Sequence, residues 1–146
     1  MTSSRKDIKN AVKAVIGTVP GIKAVYTNMP RQQQVFPAVV IAFDKVHEKA
    51  ATLGNPSRRH ITYTVTLYIQ SIDANPNEQA AQEEFDDMLD LIDEALRSNK
   101  DLDGAALKSA YEYIDTDAFE PQIAGQGQAL ILRAVKTFTV LVEIMG

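Results

Sequence analysis

The sequence predicts an α+β domain in which a mostly antiparallel β-sheet carries two α-helices on one face and ends in a long C-terminal β-hairpin. Two segments have apolar residues at helical spacing, and the other apolar segments alternate or are β-branched, as strands are. The chain has 146 residues, of which 45% are hydrophobic, and no linker or repeat divides it. We therefore expect residues 1–146 to form a single domain with one core.

The first predicted element is a helix that begins near Ser4 and ends near Gly17. Its apolar stripe consists of Ile8, Val12, Val15 and Ile16. Ser4 is suited to the N-cap, and Gly17 is suited to the position after the last helical residue. The other side of this helix is basic and carries Arg5, Lys6, Lys9 and Lys13.

Three strands are predicted to follow as a meander. The first two lie in IKAVYTN and FPAVVIAFD, and the turn-forming residues of VHEKAATLGNPS predict a loop before the third. The third strand, RRHITYTVTLYIQS, alternates strictly between two faces. Its core face consists of Ile61, Tyr63, Val65, Leu67 and Ile69. Its second face carries Thr62, Thr64, Thr66, Tyr68 and Gln70.

The second helix is predicted in NPNEQAAQEEFDDMLDLIDEAL, with Asn75 as the N-cap and Pro76 at the first helical position. Its apolar stripe consists of Phe85, Met88, Leu89, Ile92 and Leu96. Two strands close the chain, one in ALKSAYEYIDTDAF and one in ALILRAVKTFTVLVEI, joined by the loop EPQIAGQGQ. The last run is about three times as long as a common strand, which predicts a β-bulge or an arm that extends beyond the core.

The predicted sheet has one face without helices. The residues expected on that face of two strands are uncharged: Thr62, Thr64, Thr66, Tyr68, Thr137, Thr139 and Leu141. Two interpretations remain open, because such a face either contacts water or lies against another protein.

Composition and motifs argue against several functional classes. A net charge of -4 argues against tight nucleic-acid binding, and the absence of Cys removes disulfides, thiolate nucleophiles and zinc fingers. His47 and His60 form no metal-binding or catalytic motif, and we interpret His47 as a loop residue. Gly125 and Gly127 lack the phosphate-loop pattern and are interpreted as a mobile hairpin tip. We expect no catalytic residue, no cofactor, no metal site and no membrane span.

The order of segments resembles the lambda-type tail terminator family of long-tailed bacteriophages. FPAVVIAFD is followed by a polar loop, the alternating strand ITYTVTLYI, an acidic amphipathic helix, SAYEYIDTD and a terminal strand ending in VLVEIM. The resemblance extends from about Phe36 to Met145, and its most specific motifs are FPAV, AYEY and the terminal strand. None of these is a catalytic signature. The loops MPRQQQ and EPQIAGQGQ depart from the family in length and composition.

The resemblance implies a structural protein of the virion tail and neck rather than an enzyme. It implies a homo-hexameric ring that assembles on the last tail-tube ring, stops tube polymerisation and presents a surface for head attachment. The implied partners are the tail tube protein and a head-completion or connector protein, with DNA passing through the ring without sequence-specific binding. The alternatives are another ring protein of the neck or a small ligand-binding α+β domain.

A closed ring needs two different patches that meet on neighbouring subunits. Lys6, Lys9 and Lys13 are candidates for one patch, and Asp87, Asp90 and Glu94 are candidates for the other. Alternatively, these charges face water or pair within one subunit. The remaining candidates for a subunit or tube interface are Thr62, Thr64, Thr66, Tyr68, Arg31, Arg58, Arg59, Gly125 and Gly127. Arginines at 31, 58, 59 and 133 either contact DNA in a channel or are ordinary surface residues.

Overall fold

A computed structural model of the chain describes residues 5–30, 35–52, 55–73, 77–99, 108–109, 114–124 and 129–145. The helices are α1 (Arg5–Gly17) and α2 (Glu78–Ser98). The strands are β1 (Ala24–Tyr26), β2 (Ala38–Thr52), β3 (Asn55–Asp73), β4 (Lys108–Ser109), β5 (Asp115–Ala118), β6 (Gln122–Ala124) and β7 (Ala129–Met145). The predicted α+β class is confirmed.

The described strands form one seven-stranded sheet in which β2, β3 and β7 are the long members. The order is β1-β2-β3-β7, and the short strands β4, β5 and β6 pair along the outer edge of β7. Every pairing is antiparallel except that of β1 with β2. β5 and β6, which pair with the strand that follows them, form the predicted C-terminal hairpin with β7.

The meander prediction is wrong for β1, which runs parallel to β2 with Ala24 opposite Ala38. Antiparallel neighbours are joined by short turns, whereas parallel neighbours need a connection that returns the chain to the same end of the sheet. Residues 27–37 form this connection. The apolar pattern of the two segments is the same in either direction, so it does not reveal the difference.

The loop predicted for VHEKAATLGNPS is also wrong, because β2 continues to Thr52 and β3 begins at Asn55. The residues between these strands, 53–54, lie outside the described residues. Of the two alternatives predicted for the last strand, a bulge or an arm beyond the core, the bulge is wrong, because the register shifts lie in β2, between Phe43 and Lys45 and between Ala50 and Thr52. β7 pairs with β3 in continuous register from Leu130 to Met145.

α2 begins later than predicted, because its N-cap is Asn77 and not Asn75. Asn77 has an extended backbone, and its side-chain oxygen accepts a hydrogen bond of 3.3 Å from the backbone N–H of Ala80. Asparagines stand on both sides of Pro76, and both match the N-cap preference. The five apolar residues predicted for the stripe are all buried, together with Ala81.

The core lies between the two helices and one face of the sheet. The four apolar residues predicted for α1 are buried. They and the α2 stripe pack in one cluster with alternate residues of the long strands: Val39, Ile41, Tyr63, Val65, Leu67, Ile69, Leu130, Leu132, Ala134, Phe138, Val140 and Val142. The alternation of β3 therefore places its predicted apolar face in the core, with Ile61 only partly buried at its margin.

One cation lies within this core. Lys136 occupies an inward position of β7 between Ala134 and Phe138 and is only 1% exposed. Its Nζ lies 2.7 Å from Oδ1 of Asp93 on α2 and donates a hydrogen bond of 2.7 Å to Oγ1 of Thr116 on β5. The Asp93 oxygen is buried and makes no aligned hydrogen bond, so the ion pair compensates its charge. Lys136 thus links β7 to both α2 and β5.

We expect Asp93→Asn to lower the free energy of unfolding by about 3 kcal/mol, because the buried ammonium loses its counter-ion. Lys136→Met combined with Asp93→Leu should recover most of this loss, since no charge then remains buried. Urea unfolding followed by circular dichroism measures both variants. Equal stability of Asp93→Asn and the parent would show that the ion pair does not contribute.

Candidate assembly surfaces

The sheet face opposite the helices is formed largely by threonine side chains, and we call it the threonine face. It consists of Thr62, Thr64, Thr66, Thr137 and Thr139. Residues directly opposite each other share a face, and the register places Thr64 opposite Thr139 and Thr66 opposite Thr137. In the described part of the chain, both helices pack against the other face.

The threonine face is uncharged at its centre. Thr66 is only 5% exposed because its β-branched and small neighbours pack around it, and the other four threonines are half-buried. Charged side chains border the face on the neighbouring strands. Lys45 on β2 pairs with Thr64, Asp115 on β5 pairs with Thr137, and both are exposed.

A cavity of about 290 Å³ lies at one end of this face. Its lining includes the exposed side chains of Met29, Tyr68 and Phe119. The guanidinium of Arg133 lies 5.9 Å from the centre of the Phe119 ring. Large exposed apolar side chains that are grouped in this way are typical of contact sites. The candidate residue Tyr68 therefore belongs to an apolar cluster at the margin of the threonine face.

The long strands extend beyond the helices. β3 has 19 residues and spans about 60 Å, whereas α2 has 21 residues and spans about 32 Å. The helices pack on the C-terminal half of β3, where residues 63–69 alternate into the core. The rest of β3, with its partners at the end of β2 and the end of β7, forms an arm that comprises residues 47–52, 55–60 and 143–145.

The three candidate lysines of α1 lie in two different environments. Lys9 is half-buried, donates a hydrogen bond of 2.9 Å to the carbonyl oxygen of Thr27 and lies 5.3 Å from the centre of the Phe43 ring. Lys6 and Lys13 are exposed and form no ion pair among the described residues. Lys9 is therefore held within the subunit, while Lys6 and Lys13 are available for a partner.

The candidate acidic residues of α2 do not share one environment. Asp87, Asp90 and Glu94 are all exposed. Only Asp87 lines the groove of about 430 Å³ between α2 and the end of β3, where it lies with Glu84. Asp90 and Glu94 are not among the residues that line this groove.

The other candidates lie apart from these surfaces. Arg58 and Arg59 belong to the arm, where they pair with Met145 and Ile144 of β7. Arg31, Gly125 and Gly127 lie outside the described residues. His47 is part of β2, so its interpretation as a loop residue is wrong.

Two further negative findings concern the described residues. They contain no group of three or more His, Cys, Asp or Glu residues placed to hold a metal ion. None of the helices in this part of the chain is long and apolar enough to cross a membrane.

Two residues, Lys136 and Glu84, were not singled out from the sequence. The inward lysine is visible in the sequence, because Lys136 interrupts an alternating apolar series between Ala134 and Phe138. Glu84 gives no such signal, since it is one of many acidic residues on α2. Only the packing of α2 against the sheet distinguishes it from its neighbours.

Comparisons with known proteins give limited information. No protein-family model matches the chain, and no curated protein sequence matches it. Among solved structures, it is similar to a chain of the structure described as "Virion of native gene transfer agent (GTA) particle". The two chains share 9% identity with a TM-score of 0.32, and 95% of each is covered. A similarity of this size does not establish a shared fold or function.

Lys9 is held within the subunit and Lys13 is exposed, so substitutions of these two residues should affect stability differently. Lys9→Ala should lower the free energy of unfolding by about 1.5 kcal/mol, because it removes a charged hydrogen bond and a cation–π contact. Lys13→Ala should change it by no more than about 0.5 kcal/mol, as is usual for exposed side chains. Chemical denaturation of the two variants makes the comparison. If the unfolding curves of the two variants had the same midpoint and slope, the structural role of Lys9 would be contradicted.

Proposed function

We propose that this protein is a structural subunit that assembles into a homo-hexameric ring at the end of a phage tail tube and acts as a tail terminator. The observation that carries the proposal is the threonine face, a sheet surface with an uncharged centre and without a helix against it among the described residues. In an assembly, a neighbouring subunit can cover a sheet face that has an uncharged centre and no helix layer. The segment order from Phe36 to Met145 supplies the specific role.

We infer that the arm makes the contacts with the proteins on the two sides of the ring. A terminator ring has to contact the tube protein on one side and a head-completion or connector protein on the other. The long strands place backbone far beyond the helix layer, and Arg58 and Arg59 lie in that extension. DNA passes through such a ring without sequence-specific binding, which agrees with the net charge of -4.

The two lysines that are buried or half-buried in the described residues are held by structural contacts, and this supports a protein that acts through its surfaces. Lys136 is held by Asp93 and Thr116, and Lys9 is held by Thr27 and Phe43. We infer that the protein acts through its surfaces, in the tail and neck of the virion, and uses no cofactor.

The function is tested by adding the purified protein to polymerising tail tubes. We expect a ring at one end of each tube and a shorter, narrower distribution of tube lengths in negative-stain electron micrographs. Mass photometry across concentration should show monomers and hexamers in equilibrium. Rings that form without capping tubes would favour another neck ring protein, and a twofold dimer as the only assembly would contradict a ring.

Thr64→Glu should abolish ring formation or tube capping while the variant melts within a few degrees of the parent. Thr64 is half-buried on the threonine face, so a carboxylate there is tolerated in the free subunit but loses its hydration when a neighbour covers it. Mass photometry and thermal melting measure the two effects separately.

The adjacent residue provides the control for this variant. Val65 is fully buried on the core face, so Val65→Asp should unfold the domain or make it insoluble. If Thr64→Glu melts normally and still caps tubes, the threonine face is solvated surface and the subunit contact lies elsewhere.

A further inference from the structure

The groove of about 430 Å³ lies beside α2, at the end of the sheet where β3 ends. Its α2 side carries Glu84, Asp87 and Leu91, whose spacing of three and four residues places them on one side of the helix. The opposite side is formed by the turn at Gly21, which follows α1, and by Ser71 and Asp73 at the end of β3. The groove therefore joins three segments that are distant in sequence.

The chemistry of the groove is acidic at its rim and apolar within. Leu91 is 39% exposed, although it is a large aliphatic side chain, and Phe85 and Met88 line the groove beside it. Glu84 and Asp87 are exposed and form no ion pair among the described residues. Asp73 also lines the groove but already has a partner of its own, and no Lys or Arg is among the described residues that line the groove. A matching partner presents ammonium groups on long aliphatic stems.

The exposed side of α1 offers this chemistry. Lys6 and Lys13 lie two turns apart on one side of the helix, separated by about 10 Å along its axis. Glu84 and Leu91 have the same separation along α2. The lysine stems can therefore cover Leu91 while their ammonium groups reach the carboxylates. Asn10, which lies between the lysines, is short enough to let the two helices approach.

The lysines and the groove of one subunit do not face each other. Lys9 lies on the same side of α1 as Lys6 and Lys13, and its contacts are with Thr27 and Phe43. Thr27 follows β1 and Phe43 lies on β2, so this side of α1 is directed to the β1 edge of the sheet, away from α2. The two patches thus lie on different sides of the subunit.

We propose that Lys6 and Lys13 on α1 of one subunit bind the α2 groove of the next subunit in the ring. This contact rests on the proposed ring function. Two different patches on different sides of one subunit give the head-to-tail arrangement that a ring requires. Opposite charges of this kind fix the register of neighbours and increase the rate of association, and salt weakens them.

The test uses two double variants of the full chain. Glu84→Lys with Asp87→Lys reverses the charge of the groove, and Lys6→Glu with Lys13→Glu reverses the charge of the exposed side of α1. Either variant alone places like charges across every contact, so we expect at least a tenfold loss of hexamer at the concentration where the parent is half assembled. In an equal mixture, subunits that alternate around the ring meet only opposite charges, so hexamers of mixed composition should return.

A matched control carries the same change of charge on another side of α2. Asp86→Lys with Asp90→Lys should assemble like the parent, because these residues lie outside the groove. Mass photometry at low and high salt measures assembly, and circular dichroism verifies that each variant is folded. The contact would be overturned if the groove variant assembled normally, if the mixture failed to form hexamers, or if the control lost as much hexamer as the groove variant. None of these results would overturn the proposed ring function. A parent that never forms rings would overturn the proposed function and this contact together.

Discussion

The continuous register between β3 and β7 is the constraint on which the rest of the structure depends. Side chains alternate with a period of two, so a slip by one residue would exchange the core face and the threonine face of both strands. The register is unbroken from Arg58 to Asp73, and it fixes both surfaces at once. The core that binds the helices and the surface proposed to bind a neighbour are thus two consequences of one pairing.

The Lys136–Asp93 ion pair adds a rotational constraint on α2. An apolar stripe alone allows a helix to roll over a sheet with little change in buried area, whereas a buried ion pair has a strong preference for one geometry. With Asp93 directed to Lys136, helical periodicity directs Glu84, nine residues earlier, to the opposite flank of α2. The shape of the groove therefore depends on a charge buried elsewhere in the core.

The periodic features of the fold were predictable from sequence, because they follow from local spacing. The stripes of both helices and the core face of β3 are examples. The direction of β1 was not predictable, since the apolar pattern of its residues is the same in both directions. The candidate charges were predictable as a set but not individually. Lys9 differs from Lys13 only through Thr27 and Phe43, which are distant in sequence.

The edges of the sheet explain why assembly is expected through faces and helices. Pairing between edge strands is the simplest way for sheets to associate, and proteins block it with short strands, bulges and charges. β1 and β4–β6 have two to four residues each, so they offer little edge to a partner. Beyond β1, the outer edge of β2 has the bulge at Asp44 and the exposed Lys45. With its edges protected in this way, the subunit presents the threonine face and the charged sides of its helices as the surfaces open to a neighbour.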